Sequence, residues 1–143
     1  MMKKCLETVI LVVLTTLPAL AGACGNVKNE DLRNLCQGIS GAAWGSSGCS
    51  RIKNADLKNA CFGIDGSSLS ADCGKVKNED LRNLCWGTSP TGAWGHPGCS
   101  RIKNADLKNA CFGIDGSSLS ADCGKVKNSD WRAVCRRLSS RKR

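Results

Sequence analysis

Ten of the chain's eleven cysteines stand in five pairs, Cys24/Cys36, Cys49/Cys61, Cys73/Cys85, Cys99/Cys111 and Cys123/Cys135, each enclosing eleven residues. Thiols in such a pattern can ligate metal, act as nucleophiles or form disulfides. Zinc sites use short Cys-x-x-Cys spacings or several histidines. This chain has no such spacing and a single histidine, His96. Nucleophilic catalysis with a serine or cysteine would rest on that same histidine, which lies in a Gly/Pro segment. The segments "DGSSLSAD" at 65–72 and 115–122 have acidic ends, but they lack the alternating ligands and terminal glutamate of an EF-hand loop. The chain therefore reads as non-enzymatic, with no metal site and no cofactor, and its ten cysteines read as disulfide-forming.

Candidate binding groups are fewer. Trp44 and Trp94 occupy matching "AWG" positions in glycine-rich linkers, and Trp86 replaces the glutamine that follows the cysteine in a sister unit. Large aromatics on such segments serve as binding anchors or lie back over a thin core. Trp131 stands where the other units carry leucine and reads as a core residue. The formal net charge is +9. It is concentrated in the tail "RRLSSRKR", where Arg136, Arg137, Arg141, Lys142 and Arg143 offer a surface to an anionic partner.

The cysteines also set the repeat. Aligned on them, the units read "CGNVKNEDLRNLC", "CSRIKNADLKNAC", "CGKVKNEDLRNLC", "CSRIKNADLKNAC" and "CGKVKNSDWRAVC". The intervals between units vary from eleven to thirteen residues, whereas the interval within each is constant. Length changes accumulate where geometry is least constrained, so each Cys-x11-Cys unit is the closed element. Pairing between units, such as Cys36 with Cys49, is the competing arrangement. Two flavours alternate. "FGIDGSSLSADCGKVKN" follows both Cys61 and Cys111 unchanged, as after a tandem duplication.

Within a unit the local chemistry predicts a short helix. Asn29, Asn54, Asn78, Asn104 and Asn128 are placed as N-caps, with Asp31, Asp56, Asp80, Asp106 and Asp130 in the first turn to complement the helix dipole. Leu32, Leu35 and Cys36 form an apolar stripe. Gly38, Gly63, Gly87 and Gly113, two residues beyond the second cysteine, are expected to act as C-caps. A helix of about eight or nine residues does not persist alone in water. If the chain reverses at "KN", the first cysteine returns beside the second, and a bridge closing the loop contributes on the order of 3 kcal/mol. Val27, Ile52, Val76, Ile102 and Val126 then face inward. "GSSLSAD" is expected to add a helical turn capped by Ser67 or Ser68. Lys28, Lys53, Lys77, Lys103 and Lys127 recur at one place per unit and are positioned to form a ladder.

The fold class expected is all-α: disulfide-stapled tandem repeats of short helical hairpins, with Gly/Ser-rich loops, in one array over residues 24–135. Residues 136–143 form a basic C-terminal tail. Residues 1–23 read as a bacterial-type secretory signal peptide, with Lys3 and Lys4, an apolar run from Val9 to Leu20, and small residues before a cut near Ala23. No transmembrane segment remains after cleavage. Removing Cys5 with the signal leaves an even number of cysteines, which favours a soluble secreted or periplasmic protein over a lipoprotein acylated at Cys24.

Three functions fit these features. The leading one is a binding or interaction module whose partner is an unknown protein or an anionic envelope component, nucleic acid being a weaker candidate. The others are a cationic secreted toxin or antimicrobial-like effector acting on anionic envelopes, and a structural envelope protein. Covalent stapling makes a direct prediction. The mature protein carries no free thiol, and reduction abolishes its helical circular dichroism and its protease resistance; retention of both after reduction refutes it.

Overall fold

The computed structural model describes residues 22–40, 46–65, 71–89, 97–115 and 121–140. Each of the five segments holds one unit, built as a short helix, a turn and a longer helix. The helices are α1 (Gly22–Gly25) and α2 (Glu30–Ser40), α3 (Ser46–Arg51) and α4 (Ala55–Asp65), α5 (Ala71–Lys75) and α6 (Glu79–Thr88), α7 (Pro97–Arg101) and α8 (Ala105–Asp115), and α9 (Ala121–Lys125) and α10 (Ser129–Ser139). The described residues are all-α. The expected cleavage point falls inside α1, and the helical turn expected from "GSSLSAD" lies mostly outside the described residues, as do its caps Ser67 and Ser68; α5 and α9 take up only the final Ala-Asp of that segment.

All five bridges close within units, Cys24–Cys36, Cys49–Cys61, Cys73–Cys85, Cys99–Cys111 and Cys123–Cys135. Their Cα–Cα separations run from 5.4 to 5.7 Å, inside the range that disulfides span. In each unit the residue three beyond the first cysteine donates its amide to that cysteine's carbonyl, as Val27 does to Cys24 at 3.2 Å. This tight turn folds Val27, Ile52, Val76, Ile102 and Val126 inward, where all are buried. The reversal anticipated at "KN" is therefore achieved by a helical turn followed by a two-residue corner.

Each long helix opens on its asparagine. Asn29, Asn54, Asn78, Asn104 and Asn128 accept through Oδ1 from the amide three residues on, at 2.9–3.0 Å. That satisfies one of the amides a helix start leaves without an intrahelical partner. In a capping box, an acidic side chain of the same helix would satisfy the N-cap amide. Here the neighbouring unit supplies it. Asp31 accepts from the backbone amides of Lys53 and Asn54, at 2.8 and 3.0 Å. Asp56 does the same for Lys77 and Asn78, Asp80 for Lys103 and Asn104, and Asp106 for Lys127 and Asn128. Asp130 then reaches back to Lys28 and Asn29, at 3.0 and 2.9 Å.

The last contact closes the array. α10 packs on α2 and α1 as well as on α8, so the five long helices form a ring in which each touches two others. Each short helix lies against the long helix of the preceding unit. The recurring lysines consequently follow a closed circle instead of an open ladder. Lys53 and Lys103 pair with Glu30 and Glu79 of the preceding units, each at 2.9 Å.

The glycines two residues past the second cysteine do not cap their helices. α2, α4, α6 and α8 run through Gly38, Gly63, Gly87 and Gly113. A Cβ on any of these four would stand 3.0 Å or less from both sulfurs of the next unit's bridge. Glycine is there to seat the neighbouring disulfide against bare backbone. At Gly48 and Gly98 the approach is equally close, since a Cβ would collide with backbone of the preceding unit at Gly38 and Gly87. These two glycines belong to one flavour. The other flavour has Asp72 and Asp122 at that position, buried and paired with Lys75 and Lys125 at 2.8 Å. The alternation in sequence is thus an alternation between two kinds of interface.

The core lies inside the ring. Leu35, Ala60, Leu84, Ala110 and Val134, each preceding a second cysteine, are at most 1% exposed. One turn further on, Ile39, Ile64, Ile114 and Leu138 are buried with them. Thr88 completes that layer in the third unit, and its hydroxyl donates to the Leu84 carbonyl at 2.8 Å.

Two predictions follow from the interfaces. Gly113→Ala places a methyl 2.5 Å from both sulfurs of Cys123–Cys135 and should destabilise the protein by about 1–3 kcal/mol, the usual cost of overpacking. Gly74→Ala, at an exposed helical site with no atom within 4 Å, should instead be neutral or stabilise by up to about 1 kcal/mol. Thermal midpoints of the two oxidised variants decide it. Acid tests the aspartates. The amides of Lys77 and Asn78 hold Asp56 below its ordinary value, and Asp106 and Asp130 are lowered in the same way by the amides of Lys127 and Asn128 and of Lys28 and Asn29. Groups with depressed folded-state values contribute stability that is fully present above about pH 4 and is lost as pH falls through those values. The midpoint should drop on acidification with the disulfides intact, and Asp56→Asn should lower it at pH 7 and reduce its dependence on pH. A flat profile in both proteins would refute the role of these carboxylates.

Candidate functional site: the axial basin

Ring closure brings the starts of five long helices to one end of the molecule. In each unit the third residue after the cap asparagine faces the axis, giving Leu32, Leu57, Leu81, Leu107 and Trp131. Together with Asn29, Asn54, Asn78, Asn104, Asp31 and Asp80 they line an open basin of about 400 Å3. Leu32 and Leu57 are buried, and Leu81, Leu107 and Trp131 are half-buried, so the lower wall is apolar without being sealed. Trp131 also packs against the apolar residues beneath.

The rim is polar. Each asparagine spends its carbonyl oxygen on its own helix, and its carboxamide NH2 is a donor at the basin's edge. Asp31 and Asp80 spend one lone pair per oxygen on backbone amides, and a carboxylate retains others. The Lys53 amide, the strongest influence on Asp31, holds that carboxyl below its usual value. One residue outside each cap asparagine stands a lysine. Its hydrogen bond with Glu30 raises Lys53, and that with Glu79 raises Lys103.

The residues singled out from sequence are dispersed. All ten cysteines are bridged, which removes them from nucleophilic chemistry and metal ligation and occupies the Cys24 thiol. Among the described residues no group of histidine, cysteine and acidic side chains could hold a metal ion. Trp86 is 45% exposed on α6 and lies away from the basin. Arg136 is exposed and Arg137 half-buried near the end of α10, two units from Trp86 along the chain. Trp44, Trp94, His96, Arg141, Lys142 and Arg143 lie outside the described residues. The structure does not bring Trp86 and the arginines to one place.

The basin residue that sequence reading passed over is Trp131. Its signal was its uniqueness: the other four units carry leucine at that position.

Among the described residues no helix is long and apolar enough to cross a membrane. No protein-family model, curated protein or solved structure matches the chain.

Proposed function

We propose that the protein is an exported, non-enzymatic binding module of the periplasm or extracellular space, and that the axial basin is its binding site. The observation carrying this reading is the convergence on one cavity of five equivalent first-turn positions, each three residues beyond a cap asparagine, with an indole in place of the fifth leucine. Concave sites that combine apolar surface with directed polar groups are where proteins hold ligands, and here the polar groups are the larger share. The bridges support export, since five disulfides persist in an oxidising compartment. The leader-like residues 1–23 supply the route.

The cationic-effector reading draws on a different surface, the arginines at the end of α10 and the tail beyond them. The two readings separate in one experiment. The oxidised protein is titrated with fractionated envelope and culture-medium components of the exporting cell, and amide and indole NMR signals are followed. Saturable shifts at Trp131 and the cap asparagines, lost in Trp131→Leu, support the basin. Shifts confined to residues 136–143 that vanish in high salt support the effector and overturn the basin, as does the absence of any shift at the basin. Trp131→Leu restores the residue of the other four units, so the fold should be retained, with a loss of stability smaller than the roughly 3–5 kcal/mol of truncating a buried Trp to alanine.

A further inference from the structure

Granting that the basin binds a ligand, we infer that it takes an uncharged saccharide, one face of a sugar ring resting on Trp131 and its hydroxyls meeting the asparagine and aspartate rim. The inference rests on the binding reading above and narrows it to a chemical class.

Charge excludes the alternatives first. Asp31 and Asp80 stand in the wall itself, so an anion would enter against two carboxylates. Five helix starts converge there, each with a lysine one residue outside, of which Lys53 and Lys103 are paired with Glu30 and Glu79, so a cation would enter chiefly against the aligned dipoles. The two sets oppose one another, and the ligand least penalised is neutral. Hydrogen-bonding capacity narrows it further. The carboxamides at the rim donate and the carboxylates accept. Hydroxyls do both from a single atom, and a ligand with several of them can satisfy both kinds of rim group.

Shape supplies the rest. A purely hydrocarbon ligand would bury the rim groups without partners, which is costly. A purely polar one would leave Trp131 and Leu81 unused. A pyranose carries a hydrophobic patch of C–H groups on one face and hydroxyls around its edge. The basin presents the complementary distribution, with an indole and leucines low in the wall and polar groups at the lip. Its volume of about 400 Å3 is within the span of small-molecule clefts and has room for a short saccharide.

The test uses the oxidised full-length mature protein. Neutral mono- to trisaccharides of hexoses and N-acetylhexosamines, in α and β linkage, are titrated alongside galacturonic acid, hexanoate and tetraethylammonium. Signals followed are the Trp131 indole N–H and the side-chain NH2 groups of Asn78 and Asn104. At least one neutral saccharide should shift these saturably, Trp131→Leu should weaken it about tenfold or more, Trp131→Phe should retain most of the affinity, and Trp86→Ala should change nothing. The inference is overturned if no neutral saccharide moves the basin signals, or if one does so equally well in Trp131→Leu. When a charged or hydrocarbon probe moves them instead, the saccharide assignment falls while the binding site stands. When neither these probes nor the envelope fractions do, both fall.

Discussion

A helix start leaves backbone amides without partners, and in this protein each unit answers only half of that demand. Its asparagine satisfies an amide within the first turn; the amides of the asparagine and of the lysine before it wait for the aspartate of another unit. A single hairpin is therefore chemically incomplete. Open repeat arrays meet this problem with specialised terminal units. Here the fifth aspartate returns to the first unit and no end remains. The same contact sets the positions of the cap asparagines and of the residues three beyond them, so the geometry of the basin is a by-product of the way the units satisfy one another.

Disulfides make so small a ring workable. The side chains facing the axis are modest, from alanine to leucine in the deepest layer, and much of the remaining interior is sulfur. Each bridge does two jobs. It holds its own hairpin closed, and in every unit but the first its outer surface fills the space left by a glycine on the preceding helix. Loss of a bridge would remove a hairpin's staple and also leave a void at the neighbouring interface, so the stability of one unit is tied to the integrity of the next. Arg33, Arg82 and Arg132 add a local brace by donating to carbonyls of their own turns, as Arg132 Nε does to Val126 at 2.7 Å.

Much of the unit was legible in sequence because its causes are local. Eleven-residue spacing, asparagine before a leucine stripe, and Val or Ile three beyond the first cysteine each determine structure within a dozen residues. The glycines misled because a glycine just past an apolar stripe has two physical uses, freedom of backbone angle and absence of a side chain. Only the position of a neighbour distinguishes them. The aspartates were credited with a dipole role, and their contacts across units lay 21 to 24 residues away along the chain for four of them. Asp130 acts over 102 residues. Periodicity predicts that such a residue recurs. It does not say whether the recurrence runs along a line or around a circle, and so the basin could not be foreseen and Trp131 read as plain core.

Parity has the last effect on this architecture. Two kinds of unit alternate along the chain, and each junction between unlike neighbours has its own fit, glycine on backbone at one and buried aspartate at the next. A circle with an odd number of places cannot be two-coloured without a clash, so somewhere like must meet like. That place is the junction of the fifth unit with the first. There Arg137 stands where the other long helices carry glycine, and Cys24 keeps 8% of its surface in solvent while the remaining bridged cysteines keep 1% or less. The described residues begin and end at this one mismatched joint. A further duplication of the two-unit block would preserve the mismatch and widen the circle, and the basin, whose walls are drawn from every member, would be the first thing to change.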